Sequence, residues 1–374
     1  MNFSLNEVQA ILADSVDKFI VNDYDFETRQ KYAASKTGYS REVWQMFAEL
    51  GWTAVPFSAD DGGFDGGPVD IMVLMQCFGR GLIVEPYLAN IVLAGGILQR
   101  AASNNQRQQW LQPIIAGELQ ATLAFAEPQG RYEIADITTV AEADGNGWIV
   151  SGTKSYVLNG GNAELLIVPA RTAGKQADKN GISLFAIATD SNGVSIRDYE
   201  TFDGQRAAEI ILSDVSVGGD SLIGDPGGAY AALQQTVADA TLAVCAEAVS
   251  IMRVLTDKTI EYSKNRTQFG VPIGSFQALQ HRMVEMYTAC EQSQSLLLWA
   301  VMTVADGGDG AASAINSIKY QIGTAGKLVA EEAVQIHGGM GVTWELDVAH
   351  YFKRLTAIGL IFGNADWHLD KLAN

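Results

Sequence analysis

Cysteine, histidine and proline are scarce in this chain, with 3, 4 and 8 of them among 374 residues. The cysteines, Cys77, Cys245 and Cys290, are odd in number, far apart and set in apolar runs. This pattern argues against a disulfide framework and predicts buried, reduced thiols in a cytoplasmic protein. No histidine lies at zinc-ligand spacing from a cysteine, so we expect neither a metal site nor a cysteine nucleophile.

Positively charged residues are also few relative to negatively charged ones. The 25 Lys and Arg face 43 Asp and Glu, which gives a net charge of −18. Nucleic acids and anionic membranes require a positive surface, so neither is an expected partner. No apolar run reaches membrane-spanning length. An anionic small ligand remains compatible with this balance only where arginine or lysine is placed locally.

The periodicity of apolar residues changes twice along the chain and predicts an α+β multidomain protein. Residues 1–120 have helical spacing, and 121–228 contain short strand-like runs bounded by Gly, Asn and Asp, typical of a compact β-barrel or sandwich, of which we expect the β-barrel. From 229 to 374 the spacing is helical again and predicts a four-helix bundle. Its four long segments are Tyr230 to Ser263, Phe276 to Asp306, Gly310 to Ile336 and Asp347 to Ile361.

The stretch Lys264 to His281 between two of these helices concentrates unusual features. Arg266 offers a fork of donors suited to phosphate oxygens. Phe269 provides a flat apolar face beside a Gly-containing turn, and Ser275 is a predicted N-cap of the next helix. Spacing alone leaves two interpretations open: a helix–loop–helix corner with a surface Arg and a buried Phe, or a ligand site.

A second glycine-rich stretch, Gln335 to Val342, closes the third predicted bundle helix. Alone it is typical of a helix C-cap followed by a turn. Its glycines would also allow a ligand to approach the backbone closely.

Four blocks in one order and at one set of spacings resemble the acyl-CoA dehydrogenase family, over essentially the whole chain and including its helical, β and helical layout. The blocks are Gly152 to Gly161, Arg266 to Gly270, Phe276-Gln277 and Gln335 to Gly341. The family as a whole consists of flavoproteins. The resemblance therefore implies an FAD-dependent oxidoreductase of lipid metabolism that introduces a double bond α,β to a CoA thioester.

The resemblance also implies which residues hold FAD across a subunit interface. Arg266, Phe269 and Gln277 match the positions that hold the pyrophosphate and adenine half. Gln335, Gly338 and Gly339 match positions that contact the same half from a neighbouring subunit. The positions that line the isoalloxazine ring are matched by Phe125, Ala126, Tyr156 and Leu158.

Several of these positions depart from the family pattern. Tyr156 stands where Trp is common, and Ala126 and Leu158 stand where many members have Thr hydroxyls that bond the flavin. On the substrate side, Arg131 and Tyr132 replace the usual Gly and Ser. Two interpretations of Arg131 remain open: it fills an otherwise empty pocket, or it pairs with a carboxylate on the acyl tail.

The catalytic base is the largest departure. The reaction needs a carboxylate to remove the proton α to the thioester carbonyl. The two positions at which family members carry that Glu are Gly363 and Ala240 here. Asp366 and Asp239 are weak candidates, because one residue turns a helical side chain by roughly 100°. We expect Glu247 to form a buried structural pair with an Arg.

These departures resemble the small subunit of bacterial two-chain acyl-CoA dehydrogenases, including the pimeloyl-CoA dehydrogenase small subunits, as do His350 to Leu355 and Phe362 to Asp366. The resemblance implies a homologous partner subunit in an α2β2 heterotetramer, electron transfer to an electron-transfer flavoprotein, and a dicarboxylic or sterol side-chain acyl-CoA. Two alternatives stay open: a non-catalytic scaffold subunit, and a self-sufficient homo-oligomer that uses Asp239 or Asp366.

Overall fold

The computed structural model describes residues 5–373. The chain divides into two compact units. The first contains residues up to Gln30, Gly67–Ile83 and the chain from Thr241 onward, and the second contains Lys31–Gly66 and Val84–Ala240. The boundaries 120/121 and 228/229 inferred from the sequence stay a proposal.

The first unit is helical. Its helices are α1 (Glu7–Asp23), the start of α2 (Phe26–Ala33), α4 (Pro68–Gly81), most of α8 (Tyr230–Asn265), α9 (Gln277–Ala305), α10 (Ala311–His337), α11 (Asp347–Leu360) and α12 (Ala365–Ala373). Helix α10 packs against α9, α11 and α12. It buries residues at spacings of three and four, including Ile318, Ile322, Val329 and Ala333. This is the period of one helix face, which α10 buries in the core of the bundle.

The second unit carries a sheet and short helices. The helices are α3 (Arg41–Glu49), α5 (Gly96–Ala101), α6 (Asn104–Gln106) and α7 (Gln112–Ile115), with π-helical turns at Leu88–Gly95 and Arg107–Leu111. The strands are β1 (Ala121–Leu123), β2 (Val140–Asp144), β3 (Gly147–Leu158), β4 (Leu165–Arg171), β5 (Ile182–Ala188), β6 (Val194–Glu200), β7 (Arg206–Gly218) and β8 (Leu222–Ile223).

These strands form one eight-stranded sheet in the order β6-β7-β3-β2-β4-β5-β8, with β1 beside β4. Its core contains Val150, Val157, Leu166, Phe185 and Ile210. Among the described residues the end strands β6 and β8 are not paired with each other, so these strands form an open sheet. Strand β6 was not predicted from the sequence, because this edge strand is mostly exposed and polar.

The change from helix to strand and back to helix confirms the predicted fold class. The prediction of buried thiols is also confirmed, since Cys77, Cys245 and Cys290 are buried and outside any disulfide. Across residues 5–373, none of the helices combines the length and the apolar character needed to cross a membrane.

Candidate functional site

The stretch after α8 forms a two-strand hairpin with Phe269 at its tip. Strand β9 (Thr267–Gln268) pairs antiparallel with β10 (Val271–Pro272). The two turn residues, Phe269 and Gly270, have φ values of 55° and 82°, as a tight hairpin turn with right-handed twist requires. Phe269 is 93% exposed. The interpretation of this stretch as a corner with a buried Phe is therefore wrong.

Arg266 lies at the base of this hairpin. Its N–H donates to the Tyr262 carbonyl (2.8 Å), and its carbonyl accepts from the Ile273 N–H (2.8 Å). The backbone is thus fixed on both sides, while the side chain is exposed. No carboxylate of residues 5–373 pairs with its guanidinium. A fixed, unpaired guanidinium beside an exposed aromatic ring fits a diphosphate joined to an adenine.

The predicted N-cap at Ser275 is wrong. Ser275 lies in a 3-10 turn, Ile273–Ser275, and its hydroxyl donates to the Pro272 carbonyl at 2.7 Å. The N-cap of α9 is Phe276, whose ring packs edge-on near Phe269 with centroids 6.3 Å apart. The hydroxyl stabilises the end of the hairpin, and α9 begins at Gln277, an exposed residue.

The second glycine-rich stretch lies in the same unit. Helix α10 ends at His337, and Gly338 follows with φ 61°. A Cβ added at Gly338 or Gly339 would meet nothing within 4 Å, so space is open there. His337 stacks on Tyr262 with ring centroids 4.3 Å apart, which ties this turn to the end of α8, one turn before Arg266. Gln335 is exposed on the last turn of α10.

The predicted flavin-facing residues lie in the second unit, around a bulge in β3. The pairing of β3 with β7 shifts between Lys154 and Val157, and Tyr156 has φ 50°. The extra residue lets both Lys154 and Val157 point into the core, while Tyr156 is left 39% exposed.

Phe125 and Ala126 run beside this bulge. The Ala126 carbonyl accepts from the Ser155 N–H at 2.9 Å, so the structure brings Ala126 next to Tyr156. Of the four flavin-facing residues Phe125, Ala126, Tyr156 and Leu158, none is buried. A simple core role would bury them, so the structure favours a surface that a ligand covers.

A buried ion pair that the sequence analysis missed joins these segments. Lys154 Nζ donates to Glu127 Oε1 at 2.6 Å and to the Pro169 carbonyl at 2.7 Å. The carboxylate of Glu127 also accepts from the backbone and hydroxyl groups of Thr138 and Thr139. Burial raises the pKa of Glu127, but Lys154 and these donors outweigh it and hold the pKa at about 2. The single charged residue of strand β3 was the available sequence signal.

Residues Glu127–Thr139 form a loop that carries Arg131 and Tyr132. It is called the acyl-side loop here, after the substrate side predicted for these two residues from the sequence. Arg131 is exposed with φ 47°, and Tyr132 is half-buried. Within the described chain no carboxylate pairs with the Arg131 guanidinium. A side chain held in the left-handed region costs of order 1 kcal/mol, which marks this tip as a strained, exposed position.

The first of the two base positions, Gly363, is closed to any side chain. Gly363 is buried with φ 122°. A Cβ there would meet His368 Nε2 at 2.5 Å and Trp367 Cε3 at 2.7 Å. The Gly363 carbonyl accepts from Lys319 Nζ at 2.6 Å, which fixes the turn. Burial lowers the pKa of Lys319 to about 8.

Asp239 and Asp366, the aspartates beside the two predicted base positions, interact with other groups of the protein. Ala240 is fully buried in α8, and Asp239 is held by Arg100 and by Gln235 (2.9 Å). Asp366 is exposed in the first turn of α12, where a carboxylate stabilises the helix dipole. Neither carboxylate is therefore placed as a free base by its surroundings.

Glu247 pairs with Arg354, as the sequence analysis expected. Arg354 Nε donates to Glu247 Oε1 at 2.5 Å and Nη2 donates to Oε2 at 2.8 Å. Both side chains are almost fully buried. The bidentate geometry uses both carboxylate oxygens, so Glu247 has a structural role.

Comparison with known proteins extends these observations to the whole chain. The family models for the N-terminal, middle and C-terminal domains of acyl-CoA dehydrogenases match residues 6–118, 122–215 and 227–374. The probable acyl-CoA dehydrogenase YngJ of Bacillus subtilis is 26% identical over 366 residues, covering 96% of each chain.

Solved structures agree in fold. A chain of the ChsE4-ChsE5 complex from Mycobacterium tuberculosis is 25% identical with a TM-score of 0.90, covering 100% of this chain and 98% of that one. PigA with FAD and proline is 24% identical with a TM-score of 0.92 and the same coverage, which shows the fold alone. The chain has the three-domain fold, and it belongs to the acyl-CoA dehydrogenase family, whose members are FAD-dependent oxidoreductases acting on CH–CH bonds.

Proposed function

We propose that this chain is the subunit of an FAD-dependent acyl-CoA dehydrogenase whose catalytic base comes from a homologous partner subunit. The observation that carries the proposal is the closed turn at Gly363. Neither a glutamate nor any other side chain fits there, because a Cβ would overlap His368 and Trp367. The second base position, Ala240, has no carboxylate, and Asp239 is bound by Arg100.

The residues present fit FAD. Arg266 would bind the pyrophosphate with its unpaired guanidinium, and Phe269 would stack on the adenine. Gln277 would contact the same half of FAD. Gln335 and the open backbone at Gly338 and Gly339 would contact that half of the FAD held by a neighbouring subunit. Phe125, Ala126, Tyr156 and Leu158 would cover the flavin ring. Bound FAD would accept the hydride from the substrate β-carbon while the partner's base takes the α-proton.

The partner is a homologous chain in an α2β2 assembly, and the complex would supply its electrons to an electron-transfer flavoprotein. Similarity to a chain of the ChsE4-ChsE5 complex supports a two-chain arrangement. The 93% exposed Phe269 supports an intermolecular site, since an aromatic ring held out in a strained turn has no apolar cover within its own hairpin.

The substrate is an acyl-CoA with an acidic tail. Arg131 supports this class over a neutral sterol side chain, because its exposed guanidinium has no carboxylate partner in the described chain. A dicarboxylic acyl tail would supply that carboxylate. Tyr132, half-buried beside it, would line the same tail.

Co-expression with a homologous family member that retains a glutamate base tests the proposal. The pair should purify as a yellow complex whose flavin is bleached by glutaryl-CoA. The chain alone should not bleach. A colourless pair, or a yellow pair bleached by no acyl-CoA, would contradict the proposal.

The closed turn at Gly363 equally favours a second function, a non-catalytic scaffold that stabilises the partner. Substitution of Arg266 by Ala in the complex separates the two. If this chain holds FAD, the substitution lowers the flavin content at least about tenfold, as expected for loss of a charge-assisted contact. Unchanged flavin content and unchanged turnover would favour the scaffold.

A further inference from the structure

The acyl-side loop, Glu127–Thr139, is closed on itself by one carboxylate. Glu127 accepts from Gln129 Nε2 (2.9 Å) near one end of the loop. It also accepts from Thr138 N (2.7 Å) and Thr139 Oγ1 (2.6 Å) at the other end. Lys154 neutralises that carboxylate from inside the sheet. The two ends of the loop are therefore joined at a single buried charge.

A second side chain, that of Arg171, also fixes this loop. Arg171, at the end of β4, donates from Nη2 to the carbonyls of Ala135 (2.8 Å) and Gln176 (2.6 Å). From Nη1 it donates to the carbonyls of Asp178 (2.8 Å) and Asn180 (2.9 Å). Its own N–H donates to the Thr139 carbonyl at 2.7 Å. One side chain thus binds four carbonyls from two different loops.

The loop after β4 also forms direct hydrogen bonds with the acyl-side loop. The Ile137 N–H donates to the Gln176 carbonyl at 3.0 Å, and Gln176 Nε2 donates to Asp136 Oδ1 at 2.6 Å. Arg171 holds Gln176 and Ala135 together, so both loops depend on the same guanidinium.

Arg171 is suited to this role by chemistry and burial. It is 7% exposed, and no carboxylate of the described chain forms a salt bridge with it. A buried guanidinium without a carboxylate requires several strong acceptors, and four carbonyls accept from the two Nη atoms of Arg171. Removing it would leave four partly buried carbonyls without that donor, which is costly.

We propose that Arg171 is a positioning residue for substrate binding: by fixing the acyl-side loop, it holds Arg131 and Tyr132 in place for the acyl group. The proposal rests on the proposed function, because it assigns the loop to the acyl side of that site. Arg171 itself touches no substrate. Its contribution is pre-organisation, which raises affinity by removing the cost of ordering the loop on binding.

The first test measures the loop and does not depend on activity. Arg171→Gln should raise hydrogen-exchange rates in 133–138 and 172–181 at least about tenfold, since the loop loses charge-assisted hydrogen bonds. Arg171→Lys should give intermediate exchange rates, because an ammonium group cannot span four carbonyls.

Arg107→Gln is the matched control: Arg107 is another arginine of this unit, and it binds Asp61 and Asn104. It should leave both segments unchanged. Unchanged exchange in Arg171→Gln would overturn the proposal.

The second test measures binding of glutaryl-CoA to the FAD-loaded protein, with its partner if the two co-purify. Arg171→Gln should raise the Kd at least about tenfold while FAD content stays unchanged. Arg107→Gln should bind like the wild type. If the wild type binds acyl-CoA and Arg171→Gln binds equally well, the inference fails and the proposed function stands. If the wild type binds no acyl-CoA, the proposed function itself fails.

Discussion

Among the turns of the helical unit that hold a residue at positive φ, the turns at Phe269 and at Gly363 use it in opposite ways. At the hairpin tip, Phe269 has φ 55° and is displayed to solvent at 93% exposure. At the turn before α12, Gly363 has φ 122° and is buried against His368 and Trp367. The first turn displays a side chain to solvent, and the second excludes every side chain.

This contrast separates binding from catalysis. A hairpin that keeps Arg266 unpaired and Phe269 exposed retains the means to hold a dinucleotide. At the predicted base position, Lys319 Nζ donates to the Gly363 carbonyl, and His368 and Trp367 occupy the space that a side chain would need. The surroundings of this position, in addition to the residue type, therefore exclude a glutamate. We infer that substitution of Gly363 alone cannot return the base to this turn.

The largest expected effect comes from placing the missing glutamate at the closed turn. Gly363→Glu should lower the free energy of unfolding by about 4 kcal/mol, from backbone strain and overlap of Cβ with His368 and Trp367. It should also give the isolated chain no acyl-CoA turnover. Urea unfolding measures the first effect and flavin bleaching the second.

Gly359→Ala is the matched control for that prediction. Gly359 lies in α11, and a Cβ there would meet nothing within 4 Å. Alanine at this position should stabilise the protein by about 0.5–1 kcal/mol through helix propensity. A Gly363→Glu protein as stable as the control would show that the turn is not closed.

The same turn should make stability depend on pH. Burial, with Lys319 nearby, lowers the pKa of His368 to about 4 from its ordinary value near 6.5. The unfolded chain takes up this proton first as pH falls, so the stabilisation present above pH 6.5 is lost between 6.5 and 4. We expect a loss of about 2 kcal/mol between pH 7.5 and pH 4.5 from this group.

His368→Gln checks this assignment. Both proteins would be unfolded with urea at pH 7.5 and pH 4.5, and the variant should lose about 2 kcal/mol less over that interval. Equal losses in the two proteins would show that His368 does not carry the effect.

Substitution in the hairpin is expected to have the smallest effect on the free energy of unfolding and a large effect on FAD binding. Arg266→Ala should change the free energy of unfolding by less than about 0.5 kcal/mol, because its exposed side chain has no partner among residues 5–373. It should weaken FAD retention far more than Arg131→Ala, which lies on the acyl side. Flavin absorbance after gel filtration compares the two, and equal retention would contradict the assignment of Arg266.

The family and the order of helical and β segments could be predicted from local sequence features. The blocks around Arg266 and Gln335 identified the family, and the change of apolar period predicted helix, sheet and helix in order. The absence of glutamate at Gly363 and Ala240 was also readable from the sequence alone. These features depend on residue type and spacing, which a sequence states directly.

What only the tertiary structure decided lies in contacts between distant residues. Lys154 meets Glu127 across 27 positions, and Arg354 meets Glu247 across 107. The sequence placed Phe269 in a turn but left open whether its ring is buried or displayed. It showed a glycine at 363, and only packing showed that His368 and Trp367 leave no room beside it. Spacing determines which residues share a local element, but long-range packing determines which partners surround each side chain and whether space remains for a ligand.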